Sequence, residues 1–504
     1  MSNGVGQSAA IIGAGVGGLF LGAILAKEGL HVTIVEKNST IGGGLQTFRR
    51  FGAMFDTGMH IIGGMRPGGN IFRICRYLGI DGRSVISDVD DDCTATLYFA
   101  EDRKCYKISS GRVRFVNSLA EYFPSERENL KCYVDAMYRL SEEADLFYLR
   151  PTETFIPSHS TEFTQSATSF IANYITDGKL RSILAYMNPL YGGKKDETPA
   201  FIHALINVLY INGVSRFVGG SSRFADLLSE VITNNDGEII TGDAVKHVSV
   251  TKHHVENIET DKGRRITADY YISAIHPCSM LKLLDDNALP KAYAKRLNSI
   301  PNSYSAFSVY LKMKPGTFPY LNHSEFYMTR YDDVWNFACD DHPWPLGFLM
   351  MTPPGNNQGE YAEKVLITAP MPYSMAARWT DTVSGCRGAD YQEWKSFRLK
   401  ELLLQVENIH PGFQKLISDM NASSPLTIRD YYNVKEGAMC GFSKDCNNLI
   451  LSQLSVITKI RNLLLTGQNN NLHGFCGVPL TAINTAEAIL GKNYIINKIN
   501  EKTG

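Results

Sequence analysis

Three glycines and one acid near the N-terminus have the types and spacing of a phosphate-binding turn. Gly13, Gly15 and Gly18 form the pattern G-x-G-x-x-G, and Glu36 follows 18 positions after the last of them. The first glycine permits a tight turn, the second lets a diphosphate approach the backbone, and the third lets a helix pack against a strand. A carboxylate at Glu36 accepts hydrogen bonds from ribose hydroxyls and repels a 2′-phosphate. These residues therefore predict a site for FAD or NAD rather than NADP.

The elements that must position these residues can be predicted from the same stretch. Residues 9–13 form a short apolar run, residues 19–27 read as a helix that stops at Gly29, and residues 31–36 form a β-branched strand. Residues 9–26 are also uncharged and long enough to suggest a membrane span. The glycine spacing explains them better, and no Lys or Arg precedes them as a secretory signal would require. We therefore expect a cytoplasmic chain without a transmembrane helix.

Composition excludes several classes of protein. The 504 residues carry 50 Lys and Arg against 51 Asp and Glu, so the strong basic excess of a nucleic-acid-binding protein is absent and no nucleic-acid partner is predicted. The ten cysteines include no C-x-x-C pair, which predicts reduced thiols and no metal site.

A second glycine-rich segment favours FAD over NAD. The sequence IGGG at residues 41–44 is followed by QTF and then by FDTGMH at residues 55–60. The D-T-G within it, Asp56–Gly58, is also the signature of aspartic proteases. Such a protease needs two carboxylates, and the chain has no second D-T-G or D-S-G, so this alternative is rejected.

At these residues the chain resembles the flavoproteins with two dinucleotide-binding domains, a superfamily that includes monoamine oxidases, phytoene desaturases and carotenoid isomerases. The strongest resemblance is to its retinol saturase and carotenoid desaturase/isomerase branch, through the segments GGGLQTF and FDTGMHIIGG. Further similar segments lie, in order, at residues 218–224, 243–248, 268–277, 424–441, 463–468 and 477–482. Together they span residues 9 to 490, nearly the whole chain.

The resemblance implies an α/β architecture in which a Rossmann-like FAD-binding domain is interleaved with an α+β substrate domain. The FAD-binding domain would comprise residues 1–95, 216–285 and 455–504, and the substrate domain residues 96–215 and 286–454. Composition agrees with this division. Aromatic residues recur at helix-like spacing between about 96 and 215, predicting a helical cap, and residues 303–372 alternate like the strands of an antiparallel sheet.

The resemblance also implies which residues bind the FAD. The nucleotide and diphosphate would lie against the N-terminal turn, and residues 58–60 would pass the flavin ring. Residues 478–480 match the start of a helix that faces the ring. The complete predicted set is Gly13, Gly15, Gly17, Gly18, Glu36, Lys37, Gly43, Gly44, Thr47, Gly58, Met59, His60, Val245, Gly467, Gln468, Val478, Pro479 and Leu480. The chain departs from many relatives at Leu45, where they have Arg, and at Gln468, where an acid is common.

The substrates implied by the resemblance are polyene or isoprenoid lipids of the carotenoid and retinoid kind. Saturation, desaturation and cis–trans isomerisation all remain open, and so does the electron partner, which is a quinone, oxygen or NAD(P)H. Reduction of an alkene needs a hydride at one carbon and a proton at the other. His60, beside the expected flavin ring, and His473, just before the expected helix start, are the two predicted proton donors.

Two other functions and one further partner are compatible with the same sequence. One alternative is a flavin amine or porphyrinogen oxidase on the same fold, and a remote one is a non-enzymatic lipid-binding protein like the guanine-nucleotide dissociation inhibitors. A polyene substrate also suggests peripheral contact with the inner face of a membrane. Such contact would use the basic residues Arg103, Lys104, Lys107, Arg112 and Arg114.

Overall fold

The computed structural model describes residues 6–153, 158–356 and 358–503. Its strands, in chain order, are β1 (Ser8–Ile12), β2 (His31–Val35), β3 (Thr47–Arg50), β4 (Ala53–Asp56), β5 (Ile86–Asp88), β6 (Ala95–Phe99), β7 (Lys104–Ile108), β8 (Ser215–Phe217), β9 (Glu238–Ile240), β10 (Val245–Thr251), β11 (His254–Thr260), β12 (Arg265–Ile266), β13 (Tyr270–Ser273), β14 (Ser305–Met313), β15 (Ser324–Met328), β16 (Gly347–Met351), β17 (Lys364–Met371), β18 (Ile417–Ser423) and β19 (Leu463–Leu465). Its α-helices are α1 (Val16–Lys27), α2 (Asn70–Leu78), α3 (Arg112–Ala120), α4 (Arg127–Glu142), α5 (Thr161–Thr164), α6 (Ala167–Tyr174), α7 (Gly178–Leu184), α8 (Ala200–Ile211), α9 (Ser222–Thr233), α10 (Pro277–Leu281), α11 (Lys291–Ser299), α12 (Ala389–Val406), α13 (Pro425–Tyr432), α14 (Leu449–Ser452), α15 (Gly474–Leu490) and α16 (Tyr494–Thr503).

A five-stranded parallel sheet, in the order β19-β13-β1-β2-β9, lies at the centre of one half of the molecule. Side chains alternate along β1: Ala9 and Ile11 belong to the core shared with α1, whereas Ala10 and Ile12 belong to the core shared with β10 and β11. Both faces of the sheet are thus covered, as parallel sheets require. The predicted Rossmann-like sheet is confirmed. Its strands fall within the three predicted segments, whose limits stay a prediction.

The predicted strand, turn and helix around the glycines are also confirmed. Gly13 has φ of +101°, in the region that favours glycine, and its N–H bonds the carbonyl of Val35 at 2.8 Å. A Cβ on Gly18 would lie 2.0 Å from the carbonyl oxygen of Gly13, so the helix packs against the turn without room for a side chain. Residues 16–26 of α1 are all buried. Burial on all sides explains why this stretch is uncharged without crossing a membrane.

A second sheet of seven strands, in the order β18-β14-β17-β16-β15-β6-β7, forms the other half. Its strands β14, β15 and β17 match the alternation predicted for residues 303–372. Phe307, Val309 and Leu311 point to one face and pack with Leu402 and Leu403 of α12. The opposite face of the sheet looks towards the parallel sheet, and the large cavity described below lies there.

Two details of this half differ from the expectation. The sheet is antiparallel except at β15 and β6, which run parallel. Residues 95–108, expected in a helical region because of aromatic spacing, instead form the hairpin β6–β7 at the edge of the sheet. The alternating burial of β6 reveals the strand, since Ala95, Leu97 and Phe99 are buried and the intervening residues are half-buried.

Helices α3 to α8 form the predicted cap, and a buried histidine joins three of its segments. The Nε2 of His203 in α8 is 2.6 Å from the hydroxyl of Tyr133 in α4, and its Nδ1 is 2.9 Å from the hydroxyl of Tyr191. Burial lowers the pKa of His203 to about 3, so the imidazole is neutral at pH 7. Among the described residues, no helix of the cap or of the remaining structure combines the length and apolar composition that a bilayer crossing needs.

Because His203 is buried and neutral, we expect the free energy of unfolding to decrease in mild acid. An unfolded histidine has a pKa near 6.5 and therefore binds a proton between pH 7 and pH 5, whereas folded His203 stays neutral over this range. Because the unfolded state binds more protons, the free energy of unfolding falls as the pH falls. The expected loss from this residue is about 2 kcal/mol. Chemical denaturation of the wild type and of His203→Gln at both pH values measures it. The variant should lose about 2 kcal/mol less than the wild type, and equal losses would contradict the assignment.

Candidate functional site

A cavity of about 410 Å³ runs from the parallel sheet to the seven-stranded sheet. At one end it meets the segments that follow the carboxyl ends of β1, β2, β13 and β19. At the other end it is lined by side chains of β14, β15, β16 and β17. Ligands of open parallel sheets bind outside the carboxyl ends of the strands, so the first end is the expected place for a dinucleotide.

Glycines from three segments line the dinucleotide end of the cavity. A Cβ on Gly43 would lie 3.1 Å from the Cα of Gly15, and a Cβ on Gly17 would lie 3.2 Å from the Cα of Gly467. A Cβ on Gly15, in contrast, would meet no heavy atom within 4 Å. The backbones therefore approach one another closely around an open space at Gly15, next to the N-terminus of α1. Backbone N–H groups and the helix dipole make such a place favourable for a diphosphate.

Glu36 lies at the end of β2 and is buried. Its two carboxylate oxygens accept hydrogen bonds from the backbone N–H groups of Ala14 and Asn38, both at 2.8 Å. Each oxygen keeps a further lone pair, so the side chain is held in place and can still accept bonds from ribose hydroxyls. Lys37 is fixed beside it by a 2.8 Å bond from its Nζ to the carbonyl of Asp430. Burial lowers the pKa of Lys37.

The structure brings most of the predicted site residues to this single cavity. Those lining it are Gly13, Gly15, Gly17, Glu36, Lys37, Gly43, Gly44, Gly58, Met59, His60, Val245, Gly467, Gln468, His473 and Val478. Four predicted residues do not line it: Gly18, Thr47, Pro479 and Leu480. Gly18 packs against Gly13, Thr47 bonds the Ser222 hydroxyl at 3.0 Å, and Leu480 is fully buried.

The helix that faces the cavity begins earlier than expected. Residues 478–480 were predicted at its start, but α15 begins at Gly474, and Pro479 lies inside the helix. The N–H groups before the first helical bond have no partner within the helix, and with His473 as the N-cap the free donors of the first turn belong to residues 474–476. Pro479 has no N–H and leaves the carbonyl of Phe475 without its helical bond. Val478 still lines the cavity through its side chain.

The two predicted proton donors are both buried in the cavity wall but differ in their charged neighbours. Burial lowers the pKa of His60 to about 4, and the nearby Asp56 carboxylate acts in the opposite direction. Burial, together with the nearby Lys444 ammonium, lowers the pKa of His473 to about 4. Protonation is therefore favoured by the neighbouring charge at His60 and opposed by it at His473.

The second end of the cavity is apolar and mostly aromatic. Its wall includes Leu190, Tyr210, Phe326, Met328, Phe337, Phe348, Leu349, Tyr432 and Met439. Among the described residues that line the whole cavity, Glu36 is the sole carboxylate, and it lies at the dinucleotide end. The apolar end thus suits an uncharged, elongated hydrocarbon better than a cation, because burying an unpaired ammonium is costly.

These wall residues are not among the site residues predicted from the sequence. Phe326 and Met328 could be found from the alternation of their strand, which places every second residue on one face. Tyr432 could not, because it is the last residue of α13 and nothing in its local sequence shows that it reaches Gly58. Its hydroxyl lies where a side chain on Gly58 would be, 2.6 Å from an added Cβ. A side chain at position 58 would therefore have to displace the Tyr432 hydroxyl.

The residues present fit a dinucleotide on structural grounds. A Cβ on Gly15 would project into open space that the protein itself leaves empty, which is where a diphosphate would lie. Glu36 is held in the position of a ribose acceptor. Three buried polar atoms of cavity-lining residues have no hydrogen-bond partner in the protein: His60 Nδ1, Thr466 Oγ1 and His473 Nε2. Buried polar atoms are nearly always paired, so a polar ligand is the expected partner. Fold and site together define a dinucleotide-binding protein of the Rossmann-like class.

Comparison with known proteins identifies the family. Residues 16–356 match the family described as flavin containing amine oxidoreductase. The human all-trans-retinol 13,14-reductase is 26% identical over an alignment covering 96% of this chain and 85% of that protein. A 4,4'-diapophytoene desaturase (4,4'-diaponeurosporene-forming) of Staphylococcus haemolyticus is 21% identical and covers 95% of this chain and 98% of its own. The structure of putrescine oxidase bound to putrescine superposes with a TM-score of 0.66 at 14% identity, covering 96% and 99% of the two chains.

The chain belongs to the flavin-containing amine oxidoreductase family, whose match covers about two thirds of its length. It is an FAD-dependent oxidoreductase, and the predicted resemblance to retinol saturases and carotenoid desaturases is confirmed. The non-enzymatic alternative is thereby set aside.

Proposed function

We propose that the protein reduces a carbon–carbon double bond of a polyene or isoprenoid lipid. The single observation that carries this proposal is the apolar end of the cavity, which lacks a carboxylate among its described residues and opens directly onto the dinucleotide end. The names of the relatives agree with it, because a retinol reductase and a carotenoid desaturase act on long unsaturated chains. Saturation is favoured over desaturation and isomerisation by the higher identity to the reductase.

The site residues divide between binding the cofactor and serving the substrate. Gly15, Gly17, Gly43 and Gly467 would hold the diphosphate, and Glu36 the ribose. When bound, FAD supplies hydride transfer at N5 of its ring. The protein's part is to hold the substrate carbon close, to exclude water through the aromatic wall, and to provide a proton for the second carbon.

His60 is the residue we assign to this proton. It lies in the cavity wall in the segment Gly58–His60, which the resemblance places beside the flavin ring, and its Nδ1 has no partner in the protein. Asp56 favours its charged form, whereas Lys444 disfavours that of His473. The neutral imidazole present at pH 7 can also polarise a substrate by donating a hydrogen bond.

Amine oxidation is the second candidate, since putrescine oxidase shares the fold. An amine substrate is a cation at neutral pH and would need a carboxylate or an equivalent near the reacting end. The apolar end offers none among the residues that the structure describes there. Porphyrinogen oxidation lacks the opposite charge, because the negatively charged propionate groups of a porphyrinogen would need basic side chains. Among the described residues that line the cavity, Lys37 at the dinucleotide end is the only Lys or Arg.

A panel of substrates tests the proposal against these alternatives. The purified FAD-loaded protein is reduced anaerobically and mixed with all-trans-retinol or a carotenoid, and the oxidised protein is mixed with putrescine, with a monoamine or with a porphyrinogen. We expect the reduced protein to react with a polyene and the oxidised protein to be unaffected by amines and porphyrinogen. Reduction of the flavin by an amine, with no polyene reaction, would contradict the proposal. The electron donor is found by repeating the cycle with NAD(P)H or with a reduced quinone in place of the chemical reductant, whereas oxygen would act on the reduced flavin only as a competing acceptor.

Peripheral membrane contact is part of the proposal, because a polyene substrate dissolves in membranes. Arg112 forms an ion pair with Asp135, and Arg114 pairs with Asp91 at 3.1 Å, so these charges are partly neutralised. Val113 between them is 71% exposed and is the better anchor. We expect the protein to co-sediment with anionic liposomes and Val113→Asp to reduce the bound fraction, whereas equal sedimentation of both proteins would contradict a contact at this place.

A further inference from the structure

A row of side chains crosses the floor of the cavity and changes from polar to apolar along its length. Thr368 of β17 stands in register with Ser308 of β14 on one side and with Leu349 of β16 on the other. Leu349 is in turn in register with Phe326 of β15. These four residues line the cavity. The row therefore begins with two hydroxyls and ends with a leucine and a phenylalanine.

The two hydroxyls are not fully used by the protein. The Oγ of Ser308 lies 3.2 Å from the Oγ1 of Thr368, so one O–H is shared between them. Two hydroxyls have two donors and four acceptor lone pairs, and this bond, together with the hydrogen bond between Ser308 and the Tyr310 hydroxyl, leaves part of that capacity free. The nearby Tyr310 hydroxyl bonds the Oγ of Ser423 at 3.3 Å and adds to the polar side of the row. An unmatched hydroxyl at an apolar wall is unfavourable unless a ligand or water atom pairs with it.

The polar end of the row lies beside the segment predicted to contact the flavin ring. The ring of Tyr310 packs against Phe55 at 5.6 Å between centroids, and Phe55 precedes the turn that leads to Gly58. The opposite, apolar end packs against the cap, where Phe326 meets Tyr186 at 5.1 Å. A substrate lying along the row would thus have one end near the turn and the other under the helices.

We infer that Ser308 and Thr368 bind the oxygen atom of a terminal alcohol or carbonyl on the substrate, and that the double bond that reacts lies near this oxygen-bearing end. The inference rests on the proposed function and narrows it: the enzyme selects an oxygenated isoprenoid over a pure hydrocarbon. Leu349 and Phe326 accommodate the hydrocarbon tail. Neither residue of the hydroxyl pair transfers a proton in this account; both are positioning residues.

A matched pair of ligands tests the inference by binding, without turnover. The probes are all-trans-retinol and the hydrocarbon in which a methyl group replaces its terminal CH2OH. Their dissociation constants are measured by fluorescence quenching on the oxidised, FAD-loaded wild type. We expect the alcohol to bind at least about tenfold more tightly, because a site built to pair a hydroxyl discriminates strongly against the analogue that lacks it.

Three variants locate the origin of this preference. In the double variant Ser308→Ala with Thr368→Val the ratio should fall to about 1 through weaker binding of the alcohol, while the hydrocarbon is unaffected. Thr368→Ser keeps the hydroxyl and should keep the ratio of the two dissociation constants. If the double variant does not retain FAD, Thr368→Val alone is used in its place. Equal affinities in the wild type, or an unchanged ratio without the hydroxyls, would overturn the inference and leave the proposed function standing. Binding of neither probe would also overturn the inference, and the proposed function would then be decided by the reaction of the reduced protein with a carotenoid.

Discussion

Gly15→Val is expected to give a folded protein that has lost its FAD. Gly15 has φ of −75° and ψ of −177°, an extended conformation that any residue adopts, and an added Cβ would meet no protein atom within 4 Å. The side chain would occupy the space between the glycine segments, where the diphosphate approaches the backbone. Steric overlap of about 1–3 kcal/mol corresponds to a roughly fivefold to 150-fold weaker affinity. The FAD-to-protein ratio after purification measures this loss.

Two other glycines serve as controls for this experiment. Gly178 is the first residue of α7, does not line the cavity and also has open space at its Cβ, so Gly178→Val should keep both fold and FAD. Gly18→Ala should instead lose stability, since its Cβ would lie 2.0 Å from the carbonyl of Gly13. The fold is checked by comparing the melting temperatures of the FAD-free variant and the FAD-free wild type. If they agree and purified Gly15→Val nevertheless retains equimolar FAD, this location of the diphosphate is refuted.

His60→Gln is expected to lower the rate of polyene reduction by about 10²–10³ while leaving FAD bound. The side chain lines the cavity and its loss removes the assigned proton donor without adding bulk. His473→Gln should cost less than about tenfold, because Lys444 already disfavours a proton there. Single-turnover rates of the reduced proteins, with FAD content determined in parallel, separate the two histidines. A His60→Gln enzyme with more than about a tenth of the wild-type rate would refute the assignment.

If His60 supplies the proton, the wild-type rate should increase as the pH falls. With a pKa of about 4, His60 is protonated in roughly one molecule in a thousand at pH 7, and this fraction rises about tenfold for each unit that the pH falls. The rate at limiting substrate should therefore increase from pH 7.5 to pH 5.5 in the wild type and stay level in His60→Gln. The same slope in both proteins would assign the proton to another group.

The sequence was most informative where a local pattern meets a strict chemical requirement. The spacing of Gly13, Gly15 and Gly18 predicted strand, turn and helix because each glycine is required by close backbone packing within a few residues. Glu36 followed from the same unit, since the acid at the end of the second strand is placed by the two strands alone. Gly13, Gly15 and Glu36 line one end of a single cavity, and Gly18 packs against Gly13 next to it.

The apolar end of the cavity was less predictable from the sequence, because its wall depends on which strands of the seven-stranded sheet are neighbours. Nothing local in the sequence reveals that Ser308, Thr368 and Leu349 stand side by side, since register is decided by pairing over long distances in the chain. The parallel pairing of β6 with β15 was missed for the same reason. Pro479 shows a different limit: proline is common at the first turn of a helix, but α15 begins five residues before it.

The most direct test of the account is an anaerobic single turnover of the FAD-loaded protein. The flavin is first reduced in full, all-trans-retinol is added in equal amount, and the flavin and polyene absorbances are followed together. We expect flavin absorbance to return as polyene absorbance is lost, one equivalent for one. Leu349→Trp, which fills the apolar end of the cavity, should slow this reaction while keeping FAD. Flavin that stays reduced while retinol and a carotenoid both remain unchanged would contradict the central claim that this cavity reduces a polyene.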